Sequence, residues 1–336
     1  MPQTRAVRFH QFGPPSDVAR FEAIELGDPG PGEVVVRMER APIHPADLNR
    51  LEGRYGENPD LPAVGGIEGF GRIEALGDGV GDLAPGMAVA LARVTGTWSE
   101  RVRVPADRLV PLPPNLDPDL AATLVINPST AWRMLHDFVS LAPNDWVLLN
   151  AANSAVGRAV IRIARCQGWR PLAIVRRPEL IPELLDLGAS EVLLDDDGLR
   201  AALPAVTQGA PVHLALNAVG GASALRLANG LAPGGTLVTY GAMGRRPLEL
   251  PNGLVIFKDL RIRGFWLSRW FRQSTSDQRD SMFQELIQMA TNGILRADVA
   301  TSFPLSEPSA ALTAAAKDRR SGKVVFRMTP GSTGII

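Results

Sequence analysis

Hydrophobic positions follow two different rhythms along the chain. Up to about Leu120 they come in short runs, EVVVRME (33–39), AVALAR (88–93) and SERVRV (99–104), separated by Gly and Pro turns. Runs of this length between turn residues predict a small all-β or barrel-like domain. The rhythm then changes. NPSTAWRMLHDFVSLAPND (127–145) reads as a helix stopped near Pro143, and after it apolar strands alternate with helix-length segments. WVLLN (146–150) leads into a helix from about Val156 to Gln167, and LAIV (172–175) into one through ELIPELLDLG (179–188). EVLLD (191–195), VHLALN (212–217) and TLVTYG (236–241) complete a series of short buried strands. That alternation predicts an α/β fold with a parallel, doubly wound sheet carrying helices on both faces. STSDQRDSMFQELIQMATNGIL (274–295) reads as an amphipathic helix entered through a Ser/Thr/Asp cap and left through Gly293. GKVVFRM (322–328) returns to strand and is expected to rejoin the first domain.

At 336 residues the chain exceeds what one core usually organises, roughly 250–300 residues, so two domains are expected. Its 35 basic and 35 acidic side chains cancel and are mixed along the sequence, which leaves no electrostatic footprint for nucleic acid or an anionic membrane. A small neutral or anionic ligand is the expected partner. The single cysteine, Cys166, excludes an internal disulfide and a cysteine-rich zinc site. In IRIARCQGW (161–169) it is expected to pack as a small apolar residue near a helix end. MPQTRAVRFH (1–10) lacks the apolar core of a secretory signal and shows no transit peptide. The least charged window, Ala201 to Leu225, is broken by Pro204, Gln208, Pro211, His213 and Asn217 and is no membrane span. A reducing compartment such as bacterial cytoplasm is the expected location.

WVLLN runs straight into AANSAVGRAVIRIAR (151–165), where a dinucleotide fold puts its phosphate-binding turn. There small residues let the backbone approach a pyrophosphate, and the helix N-terminus presents aligned N–H groups. Ala151, Ala152, Ser154 and Ala155 stand where glycines are usual, and only Gly157 remains. Taken alone, the stretch fits an ordinary strand-turn-helix equally well. The next strand carries more information. An acid there would hold a ribose 2′-hydroxyl, whereas arginine accommodates a 2′-phosphate. LAIV ends in Arg176 and Arg177, with no acid before Glu179, so NADPH is favoured over two merely solvated arginines.

At this point the chain resembles the medium-chain dehydrogenase/reductase superfamily nearly end to end. The resemblance implies a GroES-like β-rich catalytic domain (1–122), a Rossmann NADPH-binding domain (123–268) and a C-terminal segment (269–336) returning to the catalytic domain. Zinc-dependent members place a cysteine in the region here written PIHPAD (42–47) and a histidine before the glutamate of the block here written GGIEG (65–69). This chain has no cysteine there and has Ile67 before Glu68, and His44 alone cannot make a site that needs three protein ligands, so the zinc-free branch is expected. Within that branch the chain is similar to the mitochondrial-type 2-enoyl thioester reductases. The matching segments are PADLNRLEGRYG (45–56), LPAVGGIEG (61–69), NPSTAWRMLHDF (127–138), NAANSAVG (150–157), VTYGAM (238–243), IFKDLRIRGFWLSRW (256–270) and SGK (321–323). The resemblance assigns cofactor contacts to Asn127, to Asn153, Ser154, Ala155 and Val156, to Arg176 and Arg177, to Tyr240, Gly241, Ala242 and Met243, to Phe265, Trp266, Leu267 and Ser268, and to Lys323. It also implies a homodimer, with LRIRGF (260–265) as the pairing edge. Two departures stand out: Ala155 replaces a family glycine, and the arginine stretch is one residue shorter.

The same resemblance makes Tyr55 the catalytic tyrosine. Reduction of an enoyl thioester delivers hydride to Cβ and leaves an enolate, whose oxygen needs a donor and whose Cα needs a proton. A neutral phenol, with an ordinary pKa of about 10, can supply both, directly or through a water. Glycines near Tyr55 on both sides, Gly53 and Gly56, give its loop room. The implied substrate is an acyl thioester of coenzyme A or acyl carrier protein. Other candidates fare less well: His136, Asp137 and His213 fall in predicted helix or strand, Ser99 and Glu100 form no nucleophile–base motif, and Trp266 and Trp270 read as core or channel wall. Two alternatives stay open, a zinc-free quinone oxidoreductase of the same superfamily and a nucleotide-binding protein without turnover.

Overall fold

The computed structural model describes residues 3–317 and 322–328. They divide into two compact units. One takes the chain up to Ile126 together with 283–291 and the described residues from Arg296 onward; the other takes 127–282 and 292–295.

In the first unit the short hydrophobic runs become strands β1 (Gln3–Phe9), β2 (Ala19–Glu25), β3 (Glu33–Pro42), β4 (Ala63–Val64), β5 (Gly69–Leu76), β6 (Ala88–Leu91), β7 (Arg101–Pro105) and β8 (Leu109–Pro111). β3 is the spine. It pairs antiparallel with β5 on one side and with β7 on the other, and Val34, Val36 and Met38 are fully withdrawn from water. β1, β2 and β4 form a separate antiparallel sheet. The core gathers Val36, Met38, Ile43, Leu51, Leu91 and Trp98, each contributing roughly 1.5–3 kcal/mol by burial.

The second unit holds β9 (Trp146–Leu149), β10 (Arg170–Val175), β11 (Glu191–Leu194), β12 (Leu214–Asn217), β13 (Thr236–Thr239) and β14 (Arg261–Gly264). They form one six-stranded sheet in the order β11-β10-β9-β12-β13-β14, every neighbouring pair parallel. This is the doubly wound order, whose ligand crevice lies at the carboxyl ends of the strands where the order reverses, here beside β9. The expected α/β class therefore holds, with a β-rich GroES-like unit and a Rossmann unit. The helix Ala155–Cys166 covers the sheet through Val160, Ile161, Ile163 and Ala164.

Two strands close the chain, β15 (Val299–Pro304) and β16 (Lys323–Arg327). β16 lies antiparallel to β3, with Val325 opposite Pro42, so the tail rejoins the first unit as expected. Phe326 meets Trp98 edge-on at 5.2 Å between ring centres, and the Trp98 indole N–H donates to the Pro42 carbonyl at 3.2 Å. The register of β16 also fixes where Lys323 points.

Three sequence expectations need correction. Cys166 is exposed: it ends its helix about 200° around from buried Ala164, on the solvent side of the amphipathic face. His213 lies half-buried just before β12 and not within it. The helix begun at Ser274 starts at Ser276 and ends at Thr291, with Gly293 left-handed beyond it (φ 72°). No helix among the described residues is long and apolar enough to cross a membrane.

Candidate active site

The phosphate turn is built by packing more than by glycine. Ser154 caps the helix Ala155–Cys166, its hydroxyl oxygen accepting the Gly157 N–H at 3.1 Å. A Cβ at Gly157 would lie 2.5 Å from the Ala152 carbonyl oxygen, so this glycine alone permits the close approach of helix to turn. Ala151 adopts a left-handed φ of 48°, a conformation that costs a non-glycine residue energy. The Asn153 carbonyl accepts from Arg158, whose guanidinium is buried and paired with Glu183.

Behind this turn lies a polar network that the sequence reading missed. Asn150 and Asn217, at the carboxyl ends of β9 and β12, are fully buried. The Asn150 amide donates to Asn217 Oδ1 (2.8 Å) and Ser223 Oγ (2.9 Å), and its carbonyl accepts the Ala218 N–H at 2.7 Å. Asn217 Oδ1 also receives the N–H groups of Val219 and Gly220. The signal was present as an asparagine closing each of two apolar strands, WVLLN and LALN.

The remaining assigned cofactor contacts sit at the ends of elements. Arg176 is exposed and Arg177 half-buried just after β10, Arg177 reaching Glu179 at 3.5 Å. Asn127 is buried in the helix Ile126–His136. Tyr240 follows β13, with Gly241 beside it and Ala242 and Met243 exposed. Phe265, Trp266 and Ser268 are half-buried after β14, and Leu267 is buried. The Tyr240 hydroxyl is buried without a hydrogen-bond partner. Burial pushes this phenol above its ordinary range, and the Ser154 side chain, whose oxygen is already turned to Gly157, opposes that only in part. A buried donor without a partner, a Cβ-free approach at Gly157 and two arginines at a strand end fit a phosphorylated dinucleotide.

Of the assigned residues, Tyr55 and Lys323 belong to the first unit. The helix Pro45–Leu51 opens with proline at its first position, and its third residue, Asp47, accepts the His44 N–H at 2.8 Å. It ends where Gly53 turns left-handed (φ 70°) against Phe12, and the loop beyond returns Tyr55 to the helix, its ring 5.0 Å from the Arg50 guanidinium carbon. Tyr55 is half-buried.

Beside the start of that helix is a second buried network. Lys323 Nζ lies 2.7 Å from His44 Nδ1, and His44 Nε2 lies 2.6 Å from Glu68 Oε2. An ammonium can only donate, so Nδ1 accepts, and the imidazole is neutral with its proton on Nε2, given to Glu68. Glu68 Oε1 receives the Ile126 N–H at 2.6 Å. Here a zinc ion does not fit: both His44 nitrogens are engaged, one of them with an ammonium, and Ile67 offers no ligand. Among the described residues no group of three His, Cys, Asp or Glu is placed to hold a metal.

Nearby Asp47 is buried, with Oδ1 unpartnered, and burial pushes its carboxyl up to about 7, against the lowering effect of the His44 N–H, Lys323 and Arg50. The native state thus holds a proton that the unfolded chain, near 3.8, releases earlier. The stability this brings is complete below pH 3.8 and is lost as pH rises through about 7. Asp47→Asn keeps an acceptor for His44 and cannot ionise. Urea unfolding at about pH 5 and about pH 8 should therefore show the wild type losing on the order of 2 kcal/mol more than the variant over that interval; equal losses would show that Asp47 is ionised throughout.

The other candidates resolve into packing. His136 stacks on Trp132 at 4.1 Å and bonds its carbonyl oxygen, and Asp137 pairs with Arg133. Glu100 pairs with Arg5, Ser99 donates to the Arg101 carbonyl, and Trp270 lies under Arg133.

Comparison with known proteins matches residues 30–114 to the alcohol dehydrogenase GroES-like domain and residues 155–292 to the zinc-binding dehydrogenase domain. The human mitochondrial enoyl-acyl-carrier-protein reductase is 40% identical over 332 residues, covering 97% of this chain and 89% of that protein. Among solved structures, a Bacillus thuringiensis protein provisionally described as an NADPH:quinone reductase superposes with a TM-score of 0.92 at 30% identity, covering 98% of this chain and all of that one. The complex of Etr1p with NADP and crotonyl-CoA gives 0.88 at 28% identity, covering 97% and 100%; Etr1p is half of a 2-enoyl thioester reductase heterodimer from Candida tropicalis. With a relative 40% identical across 97% of its length, the chain belongs to the family of the mitochondrial enoyl-acyl-carrier-protein reductases.

Proposed function

We propose that the protein reduces the C2–C3 double bond of trans-2-enoyl thioesters, carried on coenzyme A or acyl carrier protein, with NADPH. What carries this reading is Tyr55: the GRYG loop returns a half-buried phenol to the side of a guanidinium, at the position that the family uses for a proton donor. The residues proposed to hold the cofactor are Asn127, Asn153–Val156, Arg176, Arg177, Tyr240–Met243, Phe265–Ser268 and Lys323.

NADPH, when bound, supplies a hydride to Cβ. The double-bond electrons then pass to the thioester carbonyl, and the charge of the resulting enolate rests on oxygen. Tyr55 O–H donates a hydrogen bond to that oxygen and then its proton to Cα, directly or through a water, so that one hydride and one proton are added in all. Ser154 and the first N–H groups of its helix receive the pyrophosphate. Arg176 and Arg177 receive the 2′-phosphate, each as a charge-assisted fork. A cytoplasmic location belongs to the same proposal, although the relatives are named mitochondrial.

Tyr55→Phe keeps the ring and removes the hydroxyl. Turnover of a trans-2-enoyl-CoA, followed by NADPH absorbance, should fall by roughly 10²–10⁴ while NADPH affinity survives. Wild-type turnover in the variant would defeat the mechanism. The likeness to the Bacillus thuringiensis structure favours quinone reduction as the second reading, and turnover on quinones alone, indifferent to Tyr55, would establish it.

Replacing Arg176 and Arg177 together by Ala should raise the KM for NADPH by roughly 10²-fold to 10⁴-fold and leave that for NADH nearly unchanged, since each charged hydrogen bond contributes about 1.5–3 kcal/mol. Equal effects on both cofactors would remove the 2′-phosphate assignment.

A homodimer is also proposed, through β14. This strand ends the six-stranded sheet, all four of its residues are exposed, and the helix Asn252–Lys258 before it shows Val255, Ile256 and Phe257 to solvent, Phe257 at 86%. An unpaired ladder beside exposed apolar side chains is a surface that a second copy can complete. Sedimentation at micromolar concentration should give a dimer, and Ile262→Pro, which removes a ladder donor, should give monomer; a monomeric wild type would exclude this edge.

A further inference from the structure

We infer that Arg50 is a positioning residue for Tyr55, holding the phenol ring by its guanidinium and stabilising it as the proton leaves; this rests on Tyr55 being the proton donor.

Three observations converge. Arg50 lies in the last turn of the helix Pro45–Leu51, and its guanidinium carbon stands 5.0 Å from the centre of the Tyr55 ring, within the range of an energetically significant cation–π contact. Its Nε is buried and makes no hydrogen bond. Withholding a guanidinium N–H from water is unfavourable, and an apolar side chain could cover the ring without that loss. The turn that brings ring and cation together is also specified: Gly53 is left-handed, and a Cβ there would come within 2.9 Å of the Phe12 ring. Asp47, one helical turn before Arg50, lines the same cavity of about 400 Å³, together with Leu51, Pro59 and Asp60 of the helix end and loop.

The chemistry follows from charge. Against a neutral phenol the guanidinium gains only the attraction of the ring face. As Tyr55 gives its proton to Cα, negative charge spreads over oxygen and ring, and the attraction becomes one between opposite full charges. An interaction stronger in the transition state than in the ground state raises kcat and leaves substrate binding alone. When Tyr55 is reprotonated, the original contact returns. Arg50 touches neither substrate nor cofactor in this account and acts through the ring.

A double-mutant cycle tests it with Arg50→Met, Tyr55→Phe and the pair, using crotonyl-CoA and saturating NADPH. Arg50→Met should lower kcat by roughly 10-fold to 100-fold, with KM for crotonyl-CoA within about 2-fold, and should raise the solvent deuterium isotope effect on kcat. Arg50→Lys, which keeps the cation, should recover most of the rate, whereas Arg50→Gln, a polar substitute without charge, should not. In the Tyr55→Phe background Arg50→Met should do nothing further. An Arg50→Met loss equally large with and without the Tyr55 hydroxyl, or no loss in either, overturns the inference. Equal rates in Arg50→Lys and Arg50→Gln also overturn it, and that comparison suffices if Arg50→Met melts early. Wild-type turnover in Tyr55→Phe alone would instead overturn the proton-donor assignment, a separate result.

Discussion

The first unit depends on one buried charge pairing, Lys323 to Glu68 through the neutral ring of His44. The three groups come from the start of β16, the residue before β5 and the residue before the helix Pro45–Leu51, so they meet only once β16 has docked on β3. The Ile43 N–H bonds the Val324 carbonyl at 2.9 Å and extends the β16–β3 ladder, whose register puts Nζ against the imidazole. A one-residue slip would turn the lysine to the opposite face. Removing either charged partner would leave the other buried and uncompensated, a loss of about 3–5 kcal/mol. Asp47 beside this network favours its protonated form because its burial outweighs the His44 N–H and the nearby charges of Lys323 and Arg50, with Glu68 adding a smaller push the same way.

The second unit solves a different problem, how to bring backbone close to a ligand with one glycine in the turn. Three features share the task. Gly157 admits the helix to the turn, Ser154 caps the helix, and Ala151 accepts a left-handed backbone. The cost at Ala151 is offset by the buried asparagines behind it, which satisfy the loop N–H groups at Ala218, Val219 and Gly220 and hold the carboxyl ends of β9 and β12 together. The turn is therefore rigid by support from below, and the sparse glycine pattern misstates how well formed it is.

Much of this fold was legible in the sequence because continuous apolar runs leave a strand no other place to go. WVLLN, EVLLD and TLVTYG lie within a residue or two of β9, β11 and β13. Helices were less legible where packing outweighed propensity. Leu199–Thr207 contains Pro204, and it holds because Leu199, Leu203 and Thr207, spaced four apart, are all buried. The helix Gly221–Gly230 was hidden in the same way by its glycines, and it holds through buried Ala224, Leu227 and Ala228. At the site, motifs spoke for the Tyr55 loop and the arginines of β10, which are local in sequence. They could not speak for His44 with Glu68 and Lys323, whose partners lie 24 and 279 residues apart.

The chain has two phenols, and their surroundings differ in burial and in charge. Tyr240 has a buried, unpartnered hydroxyl, and burial disfavours its ionised form, so it keeps its proton and has a hydrogen bond to offer. Tyr55 sits half-exposed on a loop, with a guanidinium against its ring. A group that gives up a proton at every turnover must recover one from water, and it must meet positive charge while it lacks one. Only the second environment offers both. Under the proposed mechanism Tyr240 holds its proton and Tyr55 gives one, a division that burial and one neighbouring cation support with no difference in the side chain itself.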